Sequence, residues 1–300
     1  MTDSSSPRLV SFHSTGWRDY QLVDSGDGRK LERFGPYTLI RPESLATWPC
    51  TLPRQIWDEA HAEFFASERG ERGRWAFRRP VESPWVMHYK NLRFQVRITD
   101  SRHLGVFPEH AAQWDWIVQQ IRRAGRPIRV LTLFSYTGLA TLAAAEAGAQ
   151  VTHVDASRSA VAAARQNQAL SGLADRPVRW IVEDAFKFVQ REARRGVRYD
   201  AIVMDPPRFG RGPKGEVWEF FQHFPPLCAA CRAILSDAPL FILLTAYAKR
   251  ASTPELRRLI AGMVEGFGGD LVAGQLITRP RGGGRTLPHS LTVRWSAGQG

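Results

Sequence analysis

Four short stretches of this 300-residue chain carry side chains whose types and spacing suit chemistry, and each stands where an apolar run stops. The run VLTLF, ending at Phe134, gives way to Ser135-Tyr136-Thr137-Gly138 and then to a segment of small residues. VTHV ends in Asp155, 17 residues beyond Gly138, with Ala156 and Ser157 following. A third run leads into Glu183-Asp184-Ala185-Phe186, and a fourth, AIVM, into Asp205-Pro206-Pro207-Arg208-Phe209. An acid at the end of a second strand accepts hydrogen bonds from ribose hydroxyls, each charged bond contributing roughly 1.5–3 kcal/mol net. The third stretch sets a carboxylate and an aromatic ring beside the place of an adenine. Two prolines directly after a buried strand fix an extended turn and remove two amide donors. Carbonyls there can point at a substrate amine, and Phe209 can stack on an extruded base. Two prolines also simply end strands, but joined to the acids before them they point to catalysis.

Two adenosine ligands compete for the first turn. A dinucleotide brings a pyrophosphate, which the G-x-G-x-x-G turn exists to approach closely. Here Gly138 stands alone, with Leu139, Ala140 and Ala143 where further glycines could have stood. S-adenosylmethionine has no phosphate, only a methionyl arm whose carboxylate backbone amides can bind. The single glycine therefore favours the methyl donor, against the alternative of a glycine that only packs a helix on a strand.

These residues need a frame. Strands are predicted at Val130–Phe134, Val151–Asp155, Val178–Glu183, Ala201–Asp205, Leu240–Thr245, Leu271–Thr278 and Ser290–Trp295, with helix-like segments in most of the gaps. That alternation predicts an α/β fold, a mostly parallel sheet with helices on both faces, whose ligands sit at the carboxyl ends of the strands. Residues 1–104 read differently, as a small β-rich N-terminal module placed to contact RNA or substrate. In it YQLVDSGDGRKLERFGPYTLIRP has hairpin chemistry, LPRQIWDEAHAEFFAS predicts a short helix, GERGRWAFRRP a basic loop, and WVMHYKNLRFQVRIT two more strands. The catalytic domain would span 105–300, opening on a helix with Trp114, Ile117 and Ile121 at helical spacing.

Composition narrows the partners. The formal charge is +12 with a pI near 10.3, and the basic residues are overwhelmingly Arg, which forks onto phosphate and stacks on bases. Codon bias would explain Arg over Lys but not the excess over acids, so RNA is the expected partner. Arg208 and Arg211 beside the fourth stretch, Arg279, Arg281 and Arg285 in TRPRGGGRTLPHS, and Arg74, Arg78 and Arg79 could rim one face and grip phosphates. No run approaches the length of a membrane span, and MTDSSSPRLV lacks the build of a signal peptide, so a cytoplasmic protein is expected. Cys50, Cys228 and Cys231 are too few for a disulfide framework and lack the further ligands of a zinc site, so they read as packing. No metal pattern is expected among the histidines either: His88, His103 and His110 read as solvated or hydrogen-bonded, and His289 as a supporting residue.

Together LFSYTG, VTHVDAS, EDAFKFV, DPPRFGRGPKGEVW, GVFPEHAAQWDW and LPHSLTVRW resemble the class I S-adenosylmethionine-dependent methyltransferases. Specifically, they are similar to the bacterial large-subunit ribosomal RNA base methyltransferases related to the cytosine-C5 and guanine-N7 enzymes, over nearly the whole chain. The resemblance implies a Rossmann-like, seven-stranded sheet whose last strand inserts antiparallel. It implies that Phe134 to Gly138 bind the methionyl arm, Asp155 with Ala156 and Ser157 the ribose, Asp184 and Ala185 the adenine, and Asp205-Pro206-Pro207 the reacting end. The segment Gly105 to Glu109, with Phe107 and Pro108, would close over the donor. Cytosine-C5 members carry a cysteine just past the fifth strand, where this chain has Thr245-Ala246-Tyr247, so a thiolate mechanism is not expected. A protein or small-molecule acceptor would leave the basic loops without a purpose, and an RNA-binding assembly factor without catalysis would need neither Asp155 nor Asp205.

Overall fold

The computed structural model describes residues 10–67, 72–247 and 251–298. The start of the chain, residues 68–71 of the expected basic loop and residues 248–250 past the fifth core strand lie outside it. After β1 (Val10–Phe12) comes a meander of β2 (Tyr20–Gly26), β3 (Arg29–Phe34) and β4 (Tyr37–Pro42). Asp27 and Gly28 both take positive φ, 49° and 73°, the two-residue hairpin turn that an Asp-Gly pair favours.

Helix α1 (Arg54–Asp58) is followed by β5 (Ala62–Ala66) and β6 (Gly73–Phe77), completing a five-stranded sheet in the order β2-β3-β4-β5-β6. Two local expectations do not hold. AEFFA is a strand rather than the second half of a helix, and RWAF is its partner rather than loop. Cross-strand pairing decides both: Phe64 packs on Trp75 with ring centroids 5.2 Å apart, and the buried Glu63 pairs with Arg29 and Arg78.

The hairpin β7 (Trp85–Tyr89) and β8 (Leu92–Val96) buries alternate apolar residues and turns Val86, His88, Arg93 and Gln95 outward. Its inner side chains share one core cluster with Leu139, Leu142 and Ala143. The module is thereby sewn to the rest of the chain. Asn167 completes the seam: its Oδ1 accepts from the Gln95 amide at 2.9 Å, and its Nδ2 donates to the Thr137 carbonyl at 3.0 Å.

The remainder runs α2 (Ala111–Arg123), β9 (Arg129–Leu133), α3 (Leu139–Glu146), β10 (Gln150–Asp155), α4 (Arg158–Leu170), β11 (Val178–Val182), α5 (Ala185–Arg194) and β12 (Ala201–Met204). A small hairpin, β13 (Phe209–Arg211) and β14 (Val217–Glu219), precedes α6 (Phe220–Arg232), β15 (Phe241–Ala246), α7 (Thr253–Met263), β16 (Asp270–Thr278) and β17 (Leu287–Ser296). The sheet order is β1-β16-β17-β15-β12-β9-β10-β11. As expected, β17 inserts antiparallel, between β15 and β16.

The seven expected strands are present, and β1 adds an eighth by pairing with the outer edge of β16. That edge would otherwise expose unpaired backbone groups. Gly274 lets the chains approach, since a side chain there would collide with the Val10 carbonyl.

Alternate strand residues serve opposite faces. Leu131, Ile202, Ile242 and Leu244 pack toward α5, α6 and α7, while Val130, Val203 and Leu243 pack toward α2 and α3. Cys228 and Cys231 are buried in the first of these layers, as packing predicts. The chain winds outward one way through β9, β10 and β11 and the other way through β12 and β15, so the carboxyl ends of β9, β10 and β12 flank a crevice.

Candidate active site

The loop leaving β9 is strained and tightly held. Phe134 and Tyr136 take φ of 56° and 47°, a region that non-glycine residues occupy at a cost, and Gly138 takes 85°. The Tyr136 amide donates to Asp155 Oδ2 at 2.8 Å, and the Thr137 hydroxyl to the Gly105 carbonyl at 2.6 Å. Phe134 leans on Trp218 with ring centroids 4.7 Å apart. At Gly138 a Cβ would lie 2.8 Å from that of Ala164 on α4, so the position needs both a left-handed backbone and the absence of a side chain.

Asp155 Oδ1 accepts from the Ser157 amide at 2.8 Å, so each carboxylate oxygen is fixed by one backbone donor. Burial raises its pKa, and those two amides oppose the rise. The next two helices start on caps: Ser157 Oγ accepts from the Ala160 amide at 3.2 Å, and Asp184 Oδ1 from the Lys187 amide at 2.9 Å.

These strand ends open on a cavity of about 630 Å³. Phe134, Tyr136, Asp155, Ala156, Ser157, Asp184 and Ala185 line one side, Phe107 and Pro108 cover it, and Asp205, Pro207, Arg208 and Arg211 bound the other end. Ser135 and Thr137 line instead a small adjoining cavity of about 50 Å³, and Gly138 lines neither.

Several readings need correction. Phe186 does not face the cavity: it is the second residue of α5 and packs on the core beneath. The Pro207 carbonyl is not free for a substrate, because the Trp218 indole donates to it at 2.7 Å. Pro206 is buried. Phe209 is 58% exposed outside the cavity, with the Arg208 guanidinium 5.0 Å over its ring.

The arginines do not all behave alike. Arg279, Arg281 and Arg285 are exposed in the loop joining β16 to β17. Arg281 donates to the Trp17 carbonyl at 2.7 Å, and Arg285 lies 5.6 Å over Trp48. Arg78 is committed to Glu63, and Arg74 lies over Phe65.

The sequence reading missed a polar cluster facing Asp205. His110, read only as solvated or hydrogen-bonded, has Nε2 2.7 Å from the Tyr247 hydroxyl and Nδ1 3.7 Å from Asp205 Oδ2. Tyr247 donates to Glu109 Oε1 at 3.0 Å. His289 Nδ1 lies 3.8 Å from the same Glu109 oxygen, and its Nε2 meets the Thr278 hydroxyl at 2.8 Å. Burial alone would raise the Glu109 pKa, but His289, His110 and Lys30 bring it down to about 2. Burial pushes Asp205 up to about 6, with Glu109 and Asp155 adding to the rise and His110 opposing it.

The N-terminal module supplies the far wall. Lys30, Arg41, Glu43, Arg102 and His103 line the cavity. Arg41 grips the buried Glu32 at 2.7 and 2.8 Å. His103, also expected to be solvated or hydrogen-bonded, is pushed down to about 4 by burial and by Arg102 and Arg41. Of the three boundary histidines, His88 and His110 are hydrogen-bonded as read, His88 exposed and bonded to Asp19 and His110 bonded to Tyr247. Among the described residues no helix is long and apolar enough to cross a membrane, and no group of three or more His, Cys, Asp or Glu is arranged to hold a metal ion.

A family model described as S-adenosylmethionine-dependent methyltransferase matches residues 67–221, just over half of the chain. The chain belongs to that family. This methyltransferase is 45% identical to a SAM-dependent methyltransferase from Agrobacterium tumefaciens of known crystal structure, with a TM-score of 0.91 over 96% of this chain and 93% of that one. It is also similar to Ribosomal RNA large subunit methyltransferase I of Klebsiella pneumoniae, 44% identical over 82 residues, 27% of this chain and 20% of that protein. Ribosomal RNA large subunit methyltransferase K/L of a Shewanella species is 34% identical over 126 residues, 41% of this chain and 17% of the relative. The matched stretch thus spans about a fifth of each ribosomal RNA enzyme.

Proposed function

We propose that this methyltransferase acts on RNA in the cytoplasm, transferring its methyl group to a base of ribosomal RNA. One observation carries the reading: Asp155 and Asp205, at the ends of β10 and β12, share a single cavity whose rim holds Arg208 and Arg211. The names of the relatives from Klebsiella and Shewanella support the choice of acceptor.

The residues fit the donor. A carboxylate has about four acceptor sites; two at Asp155 are taken by the Tyr136 and Ser157 amides, leaving two for the paired hydroxyls of a ribose. Ala156 and Ser157 border that diol. Asp184 uses one oxygen to cap α5 and keeps the other for the amino group of an adenine lying against Ala185. In the turn Phe134 to Gly138, Phe134 and Tyr136 border the methionyl arm while Gly138 shapes the turn, and Phe107 and Pro108 exclude water from above. Bound in this way, S-adenosylmethionine supplies a methyl group already activated by its positive sulfonium.

What remains for the protein is to place a nucleophile in line, a contribution on the order of 7–11 kcal/mol. Asp205, at the head of the Asp205-Pro206-Pro207 turn, holds the acceptor. On the small hairpin the outer face carries Phe209, Arg211 and Val217, since Phe209 pairs with Glu219 and Arg211 with Val217. An aromatic ring flanked by guanidinium groups suits a base and its phosphates. The loop that carries Arg279, Arg281 and Arg285 leaves from the carboxyl end of β16, the same end of the sheet as the carboxyl ends of β12 and β15, because β16 runs parallel to β15.

The test is to incubate the protein with methyl-tritiated donor, ribosomal RNA and a total protein extract. Label that is destroyed by ribonuclease and spared by protease supports the reading. The reverse pattern refutes it.

A further inference from the structure

We propose that the acceptor is a proton-bearing nitrogen of the base, and that His110, aligned by Tyr247 and Glu109, takes up its proton through Asp205. The proposal rests on the RNA-methylating reading above and names the reacting atom of that same site.

Hydrogen-bond bookkeeping fixes the imidazole. Glu109, with its pKa at about 2, is ionised and can only accept, so the single proton of the Tyr247 hydroxyl goes to it. The Tyr247 oxygen is then left as an acceptor, and His110 Nε2, 2.7 Å away, must be the donor. Neutral His110 is therefore the Nε2–H tautomer, and its Nδ1 lone pair faces Asp205 Oδ2 at 3.7 Å. A phenol and a carboxylate thus align the base much as a carboxylate alone does in the serine hydrolase triad.

Asp205 presents the matching half. Its Oδ1 is sealed from solvent and has no hydrogen-bond partner among the described residues, while the side chain keeps 23% exposure. The oxygen that can meet an acceptor in the cavity is therefore Oδ2, the same one that faces His110. Among the described residues the titratable groups around the pair are Glu109, the residue before His110, Tyr247 past β15, Asp155 at the end of β10, His289 on β17, Lys30 on β3 and Tyr136 in the loop after β9.

The balance of the step is simple. As the nitrogen–methyl bond forms and the sulfur–methyl bond breaks, the nitrogen keeps the electron pair of its N–H bond. Asp205 Oδ2 receives the proton and passes it to His110 Nδ1. The resulting imidazolium sits between the carboxylate of Asp205 and the Tyr247–Glu109 pair. A carbon acceptor would need a covalent nucleophile to activate it, and Ala246 and Tyr247 offer no thiol there.

Two measurements test this. In the full chain with nitrogen-15 histidine, long-range proton–nitrogen spectra at pH 8 should report His110 as the Nε2–H tautomer, and Tyr247→Phe should shift it from that form. An Nδ1–H tautomer, or one indifferent to Tyr247→Phe, overturns the relay. His110→Gln keeps a donor toward Tyr247 but takes no proton, so kcat on RNA should fall about 100-fold or more with donor affinity unchanged and with an N-methyl product from the wild type. Undiminished kcat, or a C-methyl product, overturns the proposal. Failure of the wild type to label RNA strikes the RNA reading instead, and the tautomer still decides the relay.

Discussion

Asp205→Asn should make the protein more stable and nearly inactive at once. Burial lifts the Asp205 carboxyl from 3.8 to about 6, which means that its ionised form is disfavoured in the fold. At about 1.4 kcal/mol per pH unit, that difference bounds the cost of the charge at about 3 kcal/mol. The sign follows from linkage: with the folded pKa raised, the favourable contribution is complete below 3.8 and is lost as pH rises through 6. Asparagine carries no charge, and its amide can donate to the His110 Nδ1 lone pair. The variant should therefore match the wild type near pH 3.8 and gain steadily up to pH 6. Above that it should hold a plateau of about 1–3 kcal/mol, roughly 2–6 °C in Tm for a chain of this size. Differential scanning calorimetry across pH 4 to 8, with methyl transfer measured on the same samples, reads both effects. A variant that is destabilised, or whose gain does not vary with pH, would refute the assignment of Asp205 as a strained carboxylate.

Three other perturbations probe different parts of the site. Asp155→Ala should weaken donor binding by at least about 3 kcal/mol, a hundred-fold or more, since two charged hydrogen bonds disappear; an unchanged Kd by calorimetry contradicts its role. Arg208→Ala combined with Arg211→Ala should flatten the salt dependence of RNA binding by about 0.7 in log–log slope for each phosphate no longer neutralised, and an unaltered slope removes both from the interface. Gly138→Ala adds about 1–2 kcal/mol for the left-handed backbone and about 1–3 kcal/mol for the collision with Ala164, so urea unfolding should show a loss of roughly 2–5 kcal/mol.

The parts legible in the sequence were those encoded locally. Apolar runs ending in Phe134, Asp155, Glu183 and Asp205 marked strands and their carboxyl ends together, because a buried strand must stop where its chain turns polar. The Asp27-Gly28 turn announced its hairpin for the same kind of reason. What stayed hidden depends on distant segments. His110 and Tyr247 lie 137 residues apart, and neither GVFPEH nor TAY says that they meet. The strand at Ala62–Ala66 shows its partner only when Trp75 packs on Phe64, and Val10–Phe12 is too short for any period to appear. Phe186 illustrates a subtler failure, because as the second residue of α5 it turns its ring from the cavity to the core. Lys30, Arg102 and His103 enter the site only because the hairpin β7–β8 docks the N-terminal module on α3.

The most direct measurement is mass spectrometry of nucleosides from ribosomal RNA of a strain lacking this gene, after incubation with the protein and methyl-labelled S-adenosylmethionine. The account predicts one labelled nucleoside, with the methyl group on a base nitrogen. Unlabelled RNA, with donor binding confirmed in the same sample, would contradict it.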